Sequence, residues 1–125
     1  MILDTCALLW LAEGGDRLSK AARDRIENAP VVYVSAISAF EIGVKCRSGK
    51  LILPMPAAEW FQAVVGHHGL AVQPLDWDVC IAAADLPPFH KDPCDRFIIA
   101  AAKMRHFPVV TTDTSFSEYG IEIFA

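Results

Sequence analysis

The stretch LDTCALLW, Leu3 to Trp10, sets one carboxylate in an otherwise apolar run. Burying a lone ionised carboxylate is costly unless something compensates it, so Asp4 needs a partner elsewhere in the chain. Met1 to Asp4 reads as a short buried strand. Thr5 to Ala12 reads as a helix beginning where that strand stops, capped by Asp4 or Thr5.

The same alternation continues along the chain. Leu18 to Ala29 is amphipathic, with Ser19 as N-cap and Pro30 just beyond its end, and the β-branched and aromatic run Val31 to Val34 predicts a second strand. Ser35 or Ser38 starts the helix AFEIGVKCRSGK, which Gly49 stops. Pro54 and Pro56 break the chain before AAEWFQAVVGHH, where Trp60, Phe61, Val64 and Val65 form an apolar stripe at helical spacing. A third strand starts at Leu70 and ends at Pro74, and a short helix follows over Trp77 to Ala84. LPPFHKDPCDRF is the longest expected loop, its prolines making it a rigid approach to a site. A helix then opens at Asp95, FPVVTTD is a fourth strand ending at Asp113, and IEIF is a possible fifth. Apolar strands alternating with helices imply a three-layer α/β/α sandwich around a central parallel sheet of four to five strands.

With 125 residues the chain is expected to form a single domain over 1–125. Its hydrophobic share, 54%, hints at a buried protein interface, for which Trp10, Leu11, Trp60 and Phe61 are the contact candidates, although an aromatic stripe at helical spacing is commonly core. No run is long enough to span a bilayer and no basic leader with a cleavage site opens the chain, so a cytoplasmic protein is expected. Cys6, Cys46, Cys80 and Cys94 are widely separated and read as reduced packing residues. A formal net charge of -4 argues against a broad phosphate-neutralising surface, yet leaves room for acids gathered around a metal with a local basic rim.

Ligands of parallel α/β sheets bind beyond the carboxyl ends of the strands. Asp4 and Asp113 are expected at two such ends, with Glu41 early in the helix after strand two and Asp95 opening the helix before strand four. Taken singly, each has a plain explanation. Asp4 can be an N-cap, Glu41 can pair with Lys45 at i,i+4, Asp92 and Asp95 suit a helix N-terminus, and Asp113 suits a turn. Taken together they would repel and raise one another's pKa values unless a hard cation such as Mg²⁺ or Mn²⁺ neutralised them. Such an ion can bind a phosphodiester oxygen and acidify an attacking water.

The segments ILDTCALLWL, VSAISAFEIGVKCRSGKL, LPPFHKDPCDRFIIAAA and VVTTDTSFSEYG resemble, in order and spacing, the PIN-domain ribonucleases, particularly the VapC-like toxins of toxin–antitoxin pairs. The resemblance implies a Mg²⁺- or Mn²⁺-dependent endoribonuclease, a homodimer acting on RNA, and a cognate antitoxin whose tail covers the active site. It places the metal-binding and catalytic acids on Asp4, Glu41, Asp95 and Asp113, and gives the Thr112 hydroxyl a role in orienting a water. His at the place of Cys6, Trp at that of Phe40 and Phe at that of Cys94 would be expected in relatives, but none of these departures removes a carboxylate.

Asp92 is a supporting candidate, Arg96 a phosphate contact, and Lys45, Arg47 and Lys50 a basic rim, against the simpler reading of solvated charge. His67, His68, His90 and His106 lack ligand-like spacing and read as loop or surface residues. A haloacid-dehalogenase-like phosphatase would need a second acid two residues after Asp4, where Cys6 stands. A receiver domain would need an Asp that LAVQPL does not supply. A PIN-like module that binds RNA or protein without cutting is the non-enzymatic alternative.

Overall fold

The computed structural model describes all residues, 1–125. Five strands, β1 (Ile2–Leu3), β2 (Tyr33–Ser35), β3 (Ala71–Gln73), β4 (Val109–Val110) and β5 (Ile123–Phe124), form one parallel sheet in the order β3-β2-β1-β4-β5. The helices are α1 (Thr5–Glu13), α2 (Lys20–Asn28), α3 (Ala36–Arg47), α4 (Ala57–His68), α5 (Trp77–Asp85) and α6 (Pro93–Arg105), with a 3-10 helix over Thr114–Tyr119.

Successive strand residues point to opposite faces, so a two-residue strand serves two cores. Leu3, Val34 and Val110 pack with Leu8, Leu11, Ile26, Trp60 and Val64 from α1, α2 and α4. Ile2 and Val109 pack on the other face with Val79, Ala83, Ile98, Ile99, Phe116 and Tyr119 from α5, α6 and the 3-10 helix. Helix α3 gives Ile42 to the first core and Ile37 to the second, so it joins the layers where β2 ends. This is the expected three-layer sandwich, with the strands cut to the minimum that pairing requires.

Side-chain caps set where α1, α2 and α3 begin. The Ala7 amide donates to Asp4 at 2.7 Å, Ala22 to Ser19 at 3.0 Å and Ile37 to Ser35 at 3.1 Å, each satisfying an N–H that the first helical turn leaves open. Helix α6 starts at Pro93, two residues before the expected opening at Asp95, because Asp92 caps it and proline's fixed φ suits the first helical position. Strand β4 stops at Val110, short of the expected end at Asp113. Asp113 instead caps the 3-10 helix, an element the sequence pattern did not announce.

The four interface candidates belong to the interior or its margin. Leu11 and Trp60 are buried, and Trp10 and Phe61 pack half-buried against the same core. The exposed large apolar side chains lie elsewhere, among them Phe40, Val44, Trp77 and Ile81. All four cysteines are free, Cys6 being exposed and the other three partly buried, and no helix is long and apolar enough to cross a membrane.

His106, at the C-terminal cap of α6, is the one non-glycine residue with positive φ, at 57°. An L side chain in this region is strained and glycine is not, so His106→Gly is expected to stabilise the fold by about 0.5–1 kcal/mol after the larger unfolded-state entropy of glycine is counted. Thermal or urea unfolding checks this, and a lower midpoint in the variant contradicts it.

Candidate metal centre

The chain leaves β1 toward β2 on one side, and β4 lies on the other, so the two halves of the sheet diverge beyond the carboxyl end of β1. Such a divergence forms a crevice. Register continues the sheet into a polar row: Asp4 and Thr111 follow the paired Leu3 and Val110, and Ser35 pairs with Gln73. All four are buried, and the two-residue period puts them on the α6 side of the sheet.

Asp4 is 6% exposed. Burial pushes its pKa up, and hydrogen bonds from the Thr111 hydroxyl and the Ala7 amide offset part of that, while nearby Glu41 and Asp113 add to the rise. The Thr111 hydroxyl also accepts the Asp113 amide at 3.0 Å, tying the two aspartates into one unit. Asp4 is therefore an N-cap and a member of an acidic cluster at once.

Glu41, one turn into α3, divides its carboxylate. Oε2 meets Lys45 Nζ at 2.7 Å, whereas Oε1 is buried without any hydrogen-bond partner. A buried anionic oxygen without a donor is an unfavourable arrangement, and it suits a cation. Asp95 is raised to about 7, first by burial, then by Asp92, with Glu41 and Asp4 adding to it against the pull of His90. Asp113 goes the other way. Burial would raise it, but the Ser115 hydroxyl and amide, at 2.6 and 3.0 Å, and His90 together hold it below the usual carboxylate range.

His90 is the site residue that sequence reasoning missed. Its Nε2 lies 2.9 Å from Asp113 Oδ2 and 3.1 Å from Asp95 Oδ2. The proline-rich stretch was legible as an approach to a site, yet nothing in the spacing of a single histidine showed that the loop would turn it inward. Arg96 explains the turn: its guanidinium donates to the carbonyls of Ala83, Ala84, Leu86, Pro87 and His90. Tyr119 adds a second tie, donating to the Pro87 carbonyl at 2.7 Å and accepting the His90 amide at 2.8 Å.

The structure places the three supporting candidates as follows. Arg96 is committed to the loop rather than offered to a phosphate. Thr112 is exposed, and the hydroxyl at the site is that of Thr111, on the same face as Asp4 by alternation. Asp92 is exposed and caps α6 through the amides of Cys94 and Asp95. Lys45 is paired with Glu41 at the site, whereas Arg47 and Lys50 are solvated. Asp4 lies within electrostatic reach of Glu41, Asp95 and Asp113, and the side-chain donors of His90, Asp95 and Asp113 lie within 4.8 Å of one another. Hard oxygen donors, one of them unpartnered, fit a divalent cation of the Mg²⁺ type.

The model of the PIN domain family matches residues 1–122. Ribonuclease VapC22 of Mycobacterium tuberculosis is 33% identical over 115 residues, which cover 90% of this chain and 86% of that protein. Among solved structures, FitAcB from Neisseria gonorrhoeae superposes with a TM-score of 0.68 at 20% identity, covering 100% of this chain and 97% of that one. DNA-bound VapBC from Salmonella typhimurium gives 0.67 at 22% identity, with 98% and 95% covered, and the toxin-antitoxin complex from Klebsiella pneumoniae gives 0.66 at 17% identity, with 99% and 95% covered. At these identities the structures speak for the fold.

The raised Asp95 has a consequence for stability without metal. Between about pH 4, the unfolded value, and about 7 the folded chain holds a proton at Asp95 that the unfolded chain has lost, so stability falls as pH rises through this window. Asp4 acts with the same sign, and Asp113 with the opposite sign, at pH values below the unfolded one. Thermal melts in EDTA are expected to show the midpoint falling from about pH 4 to about 7, and Asp95→Asn to flatten that slope. An equal slope in the variant contradicts the assignment.

Proposed function

The chain belongs to the PIN-domain family, and we propose that it is a Mg²⁺- or Mn²⁺-dependent endoribonuclease, one domain over 1–125 and the cytoplasmic toxin of a toxin–antitoxin pair. The observation that carries the metal dependence is the buried, unpartnered Glu41 Oε1, set among three further carboxylates at the divergence of the sheet. Asp4, Glu41, Asp95 and Asp113 are the acids assigned to the cation and to catalysis. A divalent cation held there supplies charge neutralisation to a phosphodiester oxygen and acidifies the attacking water.

The chain's own residues prepare for that chemistry in different ways. Asp4 is fixed by the Ala7 amide and the Thr111 hydroxyl, so it cannot turn away when an RNA strand approaches. Lys45 holds one oxygen of Glu41 and leaves the other inward, while bringing a positive charge to the margin of the cluster, where phosphates would pass. Asp95, with its pKa near neutrality, can hold a proton in the free protein and release it when positive charge arrives.

An antitoxin and a second copy of the chain are the proposed protein partners. The toxin-antitoxin complex from Klebsiella pneumoniae among the structural neighbours supports the first. Phe40, Val44, Trp77 and Ile81 are among the exposed apolar side chains available to such partners.

Purified protein is expected to cleave RNA with Mg²⁺ or Mn²⁺, leaving 5′-phosphate and 3′-hydroxyl ends, and EDTA to abolish cleavage. Cleavage undiminished by EDTA, or 2′,3′-cyclic phosphate products, refutes the mechanism. Asp4→Asn keeps the capping geometry and removes one charge. It is expected to melt no lower than wild type in EDTA, to gain less from Mg²⁺, and to lose cleavage by roughly a hundredfold or more. An active variant with an unchanged metal response overturns the role of Asp4.

A further inference from the structure

Beside two of the acids runs a hydrogen bond that neither of them makes. Thr5 Oγ1 and Ser38 Oγ lie 2.9 Å apart, both buried, and join the first residue of α1 to α3. Thr5 directly follows Asp4. Ser38 precedes Glu41 by three residues, so it sits one turn earlier on the same face of α3. The pair therefore bridges the two helices at the point where each presents its carboxylate.

Those carboxylates repel, since the charge of Glu41 acts on Asp4. Asp4 is held by the Ala7 amide and the Thr111 hydroxyl, so the repulsion falls on α3. Packing of Ile37 and Ile42 and the Ser35 cap keep α3 on the sheet, but apolar contact is non-directional and the cap acts only within α3. A hydrogen bond is different, because it holds only within a narrow range of distance and angle. Two buried hydroxyls are a costly choice for a helix contact that an apolar pair of the same shape would also fill, and what they add is a fixed spacing.

Resting on the reading that the four acids serve a divalent cation, we infer that Thr5 and Ser38 are a pair of positioning residues whose hydrogen bond keeps Glu41 from retreating from Asp4 while no cation is bound. Neither hydroxyl is assigned to the metal. Their contribution is preorganisation: a site that must be reassembled against its own repulsion binds an ion more weakly than one already in place.

The test is Mn²⁺ affinity, read from the electron paramagnetic resonance signal of free Mn²⁺ on protein shown to be folded by circular dichroism, with melting in EDTA measured alongside. Thr5→Val and Ser38→Ala are each expected to weaken affinity about tenfold, and Thr5→Ser, which keeps the hydroxyl, to bind near the wild-type value. The double variant Thr5→Val/Ser38→Ala leaves no orphaned hydroxyl, so it is expected to melt no lower than Thr5→Val and still to bind as weakly. Ser19→Ala, which removes the α2 cap away from the acids, is expected to lower the melting temperature with unchanged affinity. Wild-type affinity in the folded single variants overturns the inference, as does Thr5→Ser binding no better than Thr5→Val, or affinity that simply follows melting temperature across the set. A Ser38→Ala that does not fold assigns the pair to the fold alone and overturns it too. No Mn²⁺ bound by the wild type overturns the cation reading itself, and the inference with it, a result distinct from equal binding by all.

Discussion

The constraint on which the rest depends is the burial of Asp4. A carboxylate that is 6% exposed must be compensated locally, and the Ala7 amide at the start of α1 does so at 2.7 Å. An N-cap contributes about 1 kcal/mol, less than desolvating a charge costs, so the cap alone does not account for an acid at this depth. Its pKa stays raised in spite of the hydrogen bonds, which marks the site as one held under electrostatic tension. The arrangement follows from topology: β1 lies in the middle of a parallel sheet, so whatever follows it is deep, and it is also where the sheet's two halves part.

From the sequence alone, mutual repulsion is expected to raise the carboxylates. The structure ranks the causes differently, with burial first for both Asp4 and Asp95 and the neighbouring acids second. Asp113 shows how local the balance is. Half-buried at the margin, it is pulled below the usual range by Ser115 and His90, although it belongs to the same cluster. Three aspartates of one site thus have different proton affinities, because burial dominates at Asp4 and Asp95 and hydrogen bonds dominate at Asp113.

Much of this was legible beforehand, and the limits have physical causes. Helices marked by a side-chain cap, such as α2 behind Ser19, or by an apolar stripe behind prolines, such as α4 over Ala57–His68, lie where their patterns placed them. The α/β order and the four acids were legible because strand ends and helix starts are local features. The start of α6 was misplaced because Asp92, Pro93 and Asp95 all suit a first turn, and only the Asp92 hydrogen bonds decide among them. Thr111 could have been preferred to Thr112 by counting alternation from Val109. His90 could not have been found that way: its place depends on Arg96, whose contacts reach back to Ala83 through folds of the chain that carry no periodicity.

The brevity of the strands bears on the tendency of so apolar a chain to aggregate. With 54% hydrophobic residues, a flat and extended sheet margin would invite neighbouring chains to add on as further strands. Here the outermost strands, β3 and β5, are three and two residues long. Each offers too short a ladder of open amides and carbonyls to template growth, and the Arg25 guanidinium lies over Phe124 in β5 and is paired with Glu122 just before it, shielding that edge with charge. A sheet trimmed to what its two cores need is thereby also a poor seed for aggregation, whatever its hydropathy.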